Sequence, residues 1–215
     1  ESICSPVVCE GIGYVKGNRL KHKSASSVIP FVRFLGNSIL SILTKIASGY
    51  WHVSDTQTGY TAISLDMLES IRIDKIYKSY GMPNDMLVKL NINYCIIKEV
   101  PIKPVYNVGE KSKMKVAAII PQISLLLVVL FFRRLWVKYL FRDFHPLFLL
   151  YHFAMMLFLL DVKYSVTIFI YALIPEERTP YQILLIFIFL SISSLQSLLF
   201  AMWMDFGDNE RLHKV

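Results

Sequence analysis

The apolar positions of this chain fall into two regimes. Through residues 1–115 they recur at short, mixed spacings between polar loops; from 116 to 204 Leu, Ile, Phe and Val dominate. In the first regime, Phe31, Phe34, Leu35, Ile39, Leu40, Leu43 and Ile46 follow helical spacing. That predicts a helix over Pro30–Lys45 with one apolar face, ended by Gly49-Tyr50-Trp51. Arg33 and Asn37 lie four apart on one face of it. Leu65–Ile73 and Asn84–Asn91 predict shorter helices. Tyr14-Val15, Tyr94–Val100 and Ile102–Val105 predict strands, the first running into a glycine-containing turn at Lys16-Gly17-Asn18-Arg19-Leu20. Ser54-Asp55-Thr56-Gln57-Thr58-Gly59-Tyr60 is polar and predicts a loop. The first regime therefore predicts an α/β soluble part.

The second regime predicts membrane segments. Tyr181–Met204 carries no formal charge, and about 20 apolar residues suffice to cross about 30 Å of hydrocarbon. His145–Ile174 is apolar except at Asp161 and Lys163, where charge near mid-membrane is expensive. Either a partner helix solvates those two or the helix breaks there. Pro175–Pro180 predicts the polar turn of a hairpin. Val116–Phe132 is apolar but broken by Pro121-Gln122, with Lys111, Lys113 and Lys115 before it and Arg133, Arg134, Lys138 and Arg142 after it. With Trp136 and Tyr139 this predicts a helix in the headgroup region; a third span is the alternative.

Composition sharpens this picture. Of 215 residues 54% are hydrophobic and 18% charged, which excludes a disordered chain. The net charge of +7 comes from basic residues that border the apolar segments. That distribution fits anchoring on anionic lipid, with the soluble part on the cytoplasmic side, and no nucleic-acid motif accompanies it. Three cysteines make no disulfide framework or zinc spacing. No glycine-rich phosphate loop, HExxH, GxSxG or CxxC is present. No signal peptide is visible. Residue 1 is Glu, so the chain is expected to begin inside a longer protein or to be processed.

Taken in order, Lys16-Gly17-Asn18-Arg19-Leu20, Arg33 with Gly36-Asn37, Ser54–Tyr60, Asn84-Asp85, Glu99-Val100-Pro101 and Ser112-Lys113 resemble the second half of a family-two glycosyltransferase. The branch they resemble is that of the dolichyl-phosphate mannose synthases and polyprenyl-phosphate glycosyltransferases. The resemblance covers about residues 5–115, and the basic helix and spans that follow are similar to the membrane part of the same group. It implies the C-terminal half of a GT-A (nucleotide-diphospho-sugar transferase) fold followed by an interfacial helix and a transmembrane hairpin. The implied organisation is 1–115 acceptor half of the catalytic domain, 116–142 interfacial amphipathic helix, 143–204 two transmembrane helices and 205–215 C-terminal tail.

The implied activity is an inverting transfer of sugar from a nucleotide-diphosphate sugar to a polyprenyl phosphate, dolichyl or undecaprenyl, at the cell inner membrane or the endoplasmic reticulum. A polysaccharide synthase or another membrane glycosyltransferase, or a non-catalytic membrane scaffold or transporter subunit, are the alternatives. The family's Asp-x-Asp metal motif has no counterpart here. A divalent metal, Mg or Mn, is expected in the full-length enzyme with ligands outside this chain, and the fragment alone is expected to be inactive. By the resemblance, Arg19, Arg33 and Asn37 hold the acceptor phosphate, for which guanidinium groups are suited by charge and fork geometry. Asp55 and Asp85 are the implied catalytic carboxylates, with Asp55 orienting the acceptor rather than acting as a strong base, because a lipid phosphate is already ionised. Gln57, Ser112 and Lys113 complete the implied substrate contacts. Where relatives often carry Phe-Arg around the loop glycine, Tyr60-Thr61 follow Gly59 here.

Overall fold

The computed structural model describes residues 2–21, 31–104, 116–174 and 179–214, without the side chains of 31–35, 37 and 116–120. Ser112 and Lys113 lie outside the described residues, as does most of the Pro175–Pro180 turn. The chain forms two compact units, residues 1–138 with 206–215, and residues 139–205.

The first unit is built on a four-stranded sheet of order β2-β1-β3-β4, from β1 (Tyr14–Asn18), β2 (Thr61–Ile63), β3 (Ile97–Pro101) and β4 (His213–Lys214). β1 pairs antiparallel with β2 and parallel with β3. The turn expected at Lys16-Gly17-Asn18 is instead the buried second half of β1. The polar residues there are tolerated because each has a structural reason. The Lys16 ammonium donates to the Thr58 carbonyl at 2.5 Å. The Asn18 side-chain oxygen accepts from the amides of Leu20 and Lys21. Gly17 leaves room that a Cβ would take from Ile102, 2.7 Å away.

Helices α1 (Ser5–Glu10), α2 (Phe31–Ser48), α3 (Leu65–Ser70) and α4 (Met82–Ile92) surround the sheet, with a 3₁₀ turn at Ile73–Lys75. α2 forms where its spacing predicted a helix, but it buries Ser41, Thr44, Ala47 and Ser48 and leaves Ile39 and Leu43 of the predicted apolar face exposed; α3 is capped by Ser64, whose hydroxyl accepts from the Met67 amide. Tyr14, Val53, Leu87, Leu90, Ile97 and Leu212 belong to the main core. Tyr50 crosses it to donate its hydroxyl to the Cys95 carbonyl at 2.7 Å.

α5 (Val116–Trp136), followed by a π-helical segment at Val137–Arg142, packs on α2 and α4. Ile123 and Leu127 meet Ala47, while Leu130 meets Val88 and Ile92. Its outward face is also apolar, exposing Leu125, Val128 and Val129. Not all its basic residues stay available for headgroups. Arg134, fully buried, donates to the Ala47 carbonyl at 3.0 Å and the Ile46 carbonyl at 3.1 Å, which satisfies the last turn of α2. Lys138, 1% exposed, donates to Asn91 and Asn209 and pairs with Asp208 at 3.2 Å.

The segment expected as a tail, 205–215, is structured. Helix α7 (Tyr181–Glu210) runs past Met204. Leu212 then enters the core, and β4 pairs parallel with β3, His213 beside Ile97.

The second unit contains α6 (Pro146–Leu173) and most of α7, both long and apolar enough to cross a membrane. α6 does not break at Asp161. Ser191 of α7 donates to the Asp161 carboxylate at 2.8 Å, and Ser194 donates to the Ala154 carbonyl at 3.1 Å. A partner helix thus solvates Asp161, while Lys163 is exposed and lies 5.9 Å from the Tyr164 ring centre.

Leu212→Ala removes a side chain that is 4% exposed and is expected to destabilise the first unit by about 2–4 kcal/mol. Denaturant unfolding in micelles, with hydrogen exchange at β3, measures this. Unchanged stability would mean that the C-terminal segment does not belong to this core.

Candidate functional site

The site lies at the carboxyl end of β1, one of the parallel strands, where open α/β sheets commonly bind ligands. Asn18 and Arg19 leave the strand there, and the loop 49–60 between α2 and β2 comes to meet them. Asp55, 2% exposed, accepts three hydrogen bonds from Arg19. Its Oδ2 takes the Arg19 amide at 3.1 Å and Nε at 2.7 Å, and its Oδ1 takes Nη2 at 2.9 Å. Burial alone would raise the Asp55 carboxyl, but the hydrogen bonds and charge of Arg19 outweigh it and hold the carboxyl below its ordinary value. The Arg19 side chain remains 24% exposed, so the carboxylate holds a guanidinium fork at the edge of solvent.

Other charged groups secure the same loop from below. Glu99, on β3, accepts from the amides of Ser54 and Asp55 at 2.9 and 3.3 Å. Its other oxygen has the Lys21 ammonium at 3.3 Å. Lys16 lies among these carboxylates, and burial pushes its ammonium down to about 8 even though Asp55 and Glu99 pull it up. Gln57 turns the other way. Its Nε2 donates to Thr56 and to Asn84, each at 2.9 Å. Asn84 also accepts from Thr44, and Ser41 bonds to Thr56 at 3.0 Å. The amide nitrogens of Asn18 and Asn84 are buried, and neither has a hydrogen-bond partner among the described residues.

The structure therefore brings Arg19 and Asp55 together, while Gln57, on the same loop, faces Thr56 and Asn84. Asp85 is not brought into that pair. Its carboxylate pairs with Lys89 at 2.6 Å and accepts from the Tyr77 amide at 2.9 Å, bracing the loop before α4. Arg33 and Asn37 lie on α2 two turns and one turn ahead of Ser41 in the same helical register. Lys16, Asn18, Glu99, Ser41, Thr44 and Asn84 were not singled out as site residues. The signals for them are a Glu in the middle of β3 and polar residues recurring along α2 at positions 37, 41, 44 and 48.

Comparison with known proteins adds a chemical class. The chain is 31% identical, over 104 residues, to the UDP-N-acetylglucosamine–dolichyl-phosphate N-acetylglucosaminyltransferase of Methanococcus voltae, covering 48% of this chain and 41% of that protein. A partial relative is thus a glycosyltransferase. Over 113 residues, 53% of this chain and 46% of the relative, it is 30% identical to an uncharacterized protein of Methanocaldococcus jannaschii. The chain spans about half the length of the curated relatives it matches. No family model matches the chain, and no solved structure does.

The described residues do not suit a divalent cation. No group of three or more His, Cys, Asp or Glu among them is placed to hold one. Asp55 is engaged by Arg19 and Glu99 by backbone amides and Lys21, so no step is derived through a metal.

Asp55→Asn weakens the fork and is expected to cost about 1–3 kcal/mol of folding stability at neutral pH. Because the folded-state carboxyl is depressed, this contribution is complete above the unfolded value near ~3.9 and is lost as pH falls through the lower folded value. Denaturant unfolding at neutral and acid pH should show the gap between wild type and variant closing in acid. A gap that persists there would contradict the ion-pair origin.

Proposed function

We propose that this chain forms the acceptor half and membrane anchor of an inverting glycosyltransferase that moves a sugar from a nucleotide-diphosphate sugar to a polyprenyl phosphate. The observation that carries the reading is the Asp55-held Arg19 fork at the carboxyl end of β1. The dolichyl-phosphate acceptor in the name of the Methanococcus voltae relative supports it. So do two helices able to cross a membrane, which suit an acceptor whose tail stays in the bilayer. The proposed membrane is the cell inner membrane or the endoplasmic reticulum, with the first unit on the cytoplasmic side.

In this mechanism Arg19 and Arg33 bind the oxygens of the lipid phosphate, with Asn37 beside them. A phosphate oxygen attacks the anomeric carbon of the donor sugar. The new carbon–oxygen bond forms as the bond to the nucleoside diphosphate breaks, and the diphosphate leaves with that electron pair. The acceptor is already largely ionised at neutral pH, so no strong base is needed. Asp55, a depressed carboxylate bound on both oxygens, is a positioning residue that aims Arg19. Gln57 and Lys113 are further candidates for substrate contact. The donor's diphosphate and any divalent metal belong to the longer protein.

The test uses the longer protein that contains this chain, in native membranes, with a nucleotide sugar and polyprenyl phosphate. Organic-extractable glycolipid is the expected product, and a polymer that does not extract would favour a polysaccharide synthase. Arg19→Ala is expected to lower transfer about 10²-fold, since a hydrogen-bonded charge contact contributes about 1.5–3 kcal/mol. Arg19→Lys should restore part of it. Unchanged transfer in Arg19→Ala would overturn the assignment.

A further inference from the structure

The loop between α3 and α4, residues 71–81, is held from inside and, with Met82 at the start of α4, exposes several apolar side chains. The Asp85–Lys89 pair lies beneath it, each side chain 5% exposed. Asp85 accepts from the Tyr77 amide, and Lys89 donates to the Lys75 carbonyl at 2.5 Å. At the end of the loop Gly81 abuts α5, where a Cβ would collide with Leu126. The loop turns Ile71 and Ile76 toward the core and leaves its other apolar side chains outside. Ile73, Tyr77, Tyr80 and Met82 are 55%, 42%, 50% and 47% exposed. Arg72, Lys75 and Lys78 alternate with them, and Asp74 is the single acid, a local net charge of 3 − 1 = +2.

We infer that this loop docks on an anionic lipid surface, seating its tyrosines at headgroup level with Arg72, Lys75 and Lys78 on lipid phosphates. Tyrosine beside exposed apolar and basic residues is the combination that interfaces of bilayers favour. The patch continues onto α5 across the Gly81–Leu126 contact, where Leu125, Val128 and Val129 are exposed. The chain's own spanning helices keep a bilayer at high effective concentration, which a separate protein partner would not have. The contact is distinct from the hairpin.

The test uses the full chain reconstituted in phosphatidylcholine vesicles, with and without phosphatidylglycerol, containing a headgroup nitroxide lipid. Cys4→Ser and Cys9→Ser leave Cys95, which is buried and pushed up to about 12, so it does not compete for label. Ser79→Cys then carries an environment-sensitive fluorophore, and a second protein labelled at Cys4 alone is the control. Quenching at position 79 should exceed that at Cys4 several-fold in the anionic vesicles. It should fall when Arg72, Lys75 and Lys78 are all changed to Gln. Quenching at 79 no greater than at Cys4 would overturn the inference, as would quenching unaffected by the triple change. Shielding of the label that grows with the protein-to-lipid ratio, without nitroxide quenching, would assign the loop to a second copy of this chain instead.

Discussion

Asp55 gives both carboxylate oxygens to Arg19, and the loop from Ser54 to Tyr60 takes its shape around that pair. A connection between a helix and a strand must find partners for its backbone polar groups. Here the partners come from the sheet. Glu99 takes two amides, Lys16 meets the Thr58 carbonyl, and the Gly17 amide meets the Tyr60 carbonyl at 2.9 Å. Thr56 and Gln57 reach the opposite way to Ser41 and Asn84. The loop is therefore tied to β1, β3, α2 and α4 at once, as a preorganised site requires.

This order matters for an anionic ligand. Fixing a free arginine side chain costs up to about 2 kcal/mol of conformational entropy. With Asp55 holding Nε and Nη2, that cost is met when the chain folds rather than when a ligand arrives. The depressed Asp55 carboxyl follows from the same contact and suits aiming better than proton abstraction.

Much of this was legible from residue spacing, and the failures have physical causes. Helix α2 was readable because its apolar residues keep helical spacing, although the face it buries carries Ser41, Thr44 and Ser48 and leaves Ile39, Ile42 and Leu43 exposed, and Arg19 and Asp55 were indicated by the family resemblance alone. The second half of β1 was not, because Lys16-Gly17-Asn18 has turn composition and only tertiary partners make it a buried strand. The partner of Asp85 was not legible either: an acid near a helix start carries no mark of the lysine one turn on that it pairs with. Arg134 and Lys138 looked like headgroup anchors by position, yet each is consumed by partners in the first unit that lie distant in sequence. Leu212 and β4 were invisible because a two-residue strand has no periodicity. At Asp161 the sequence left two outcomes open, and a serine thirty residues away selected between them.

The central claim is that Asp55 acts through Arg19, and a double-mutant cycle tests it most directly. Affinity for a short-chain polyprenyl phosphate is measured on the full chain in micelles, for Arg19→Gln, Asp55→Asn and the two combined. If the carboxylate only aims the guanidinium, the double variant binds no worse than the weaker single variant. Losses that multiply would show two independent contributions and contradict the account.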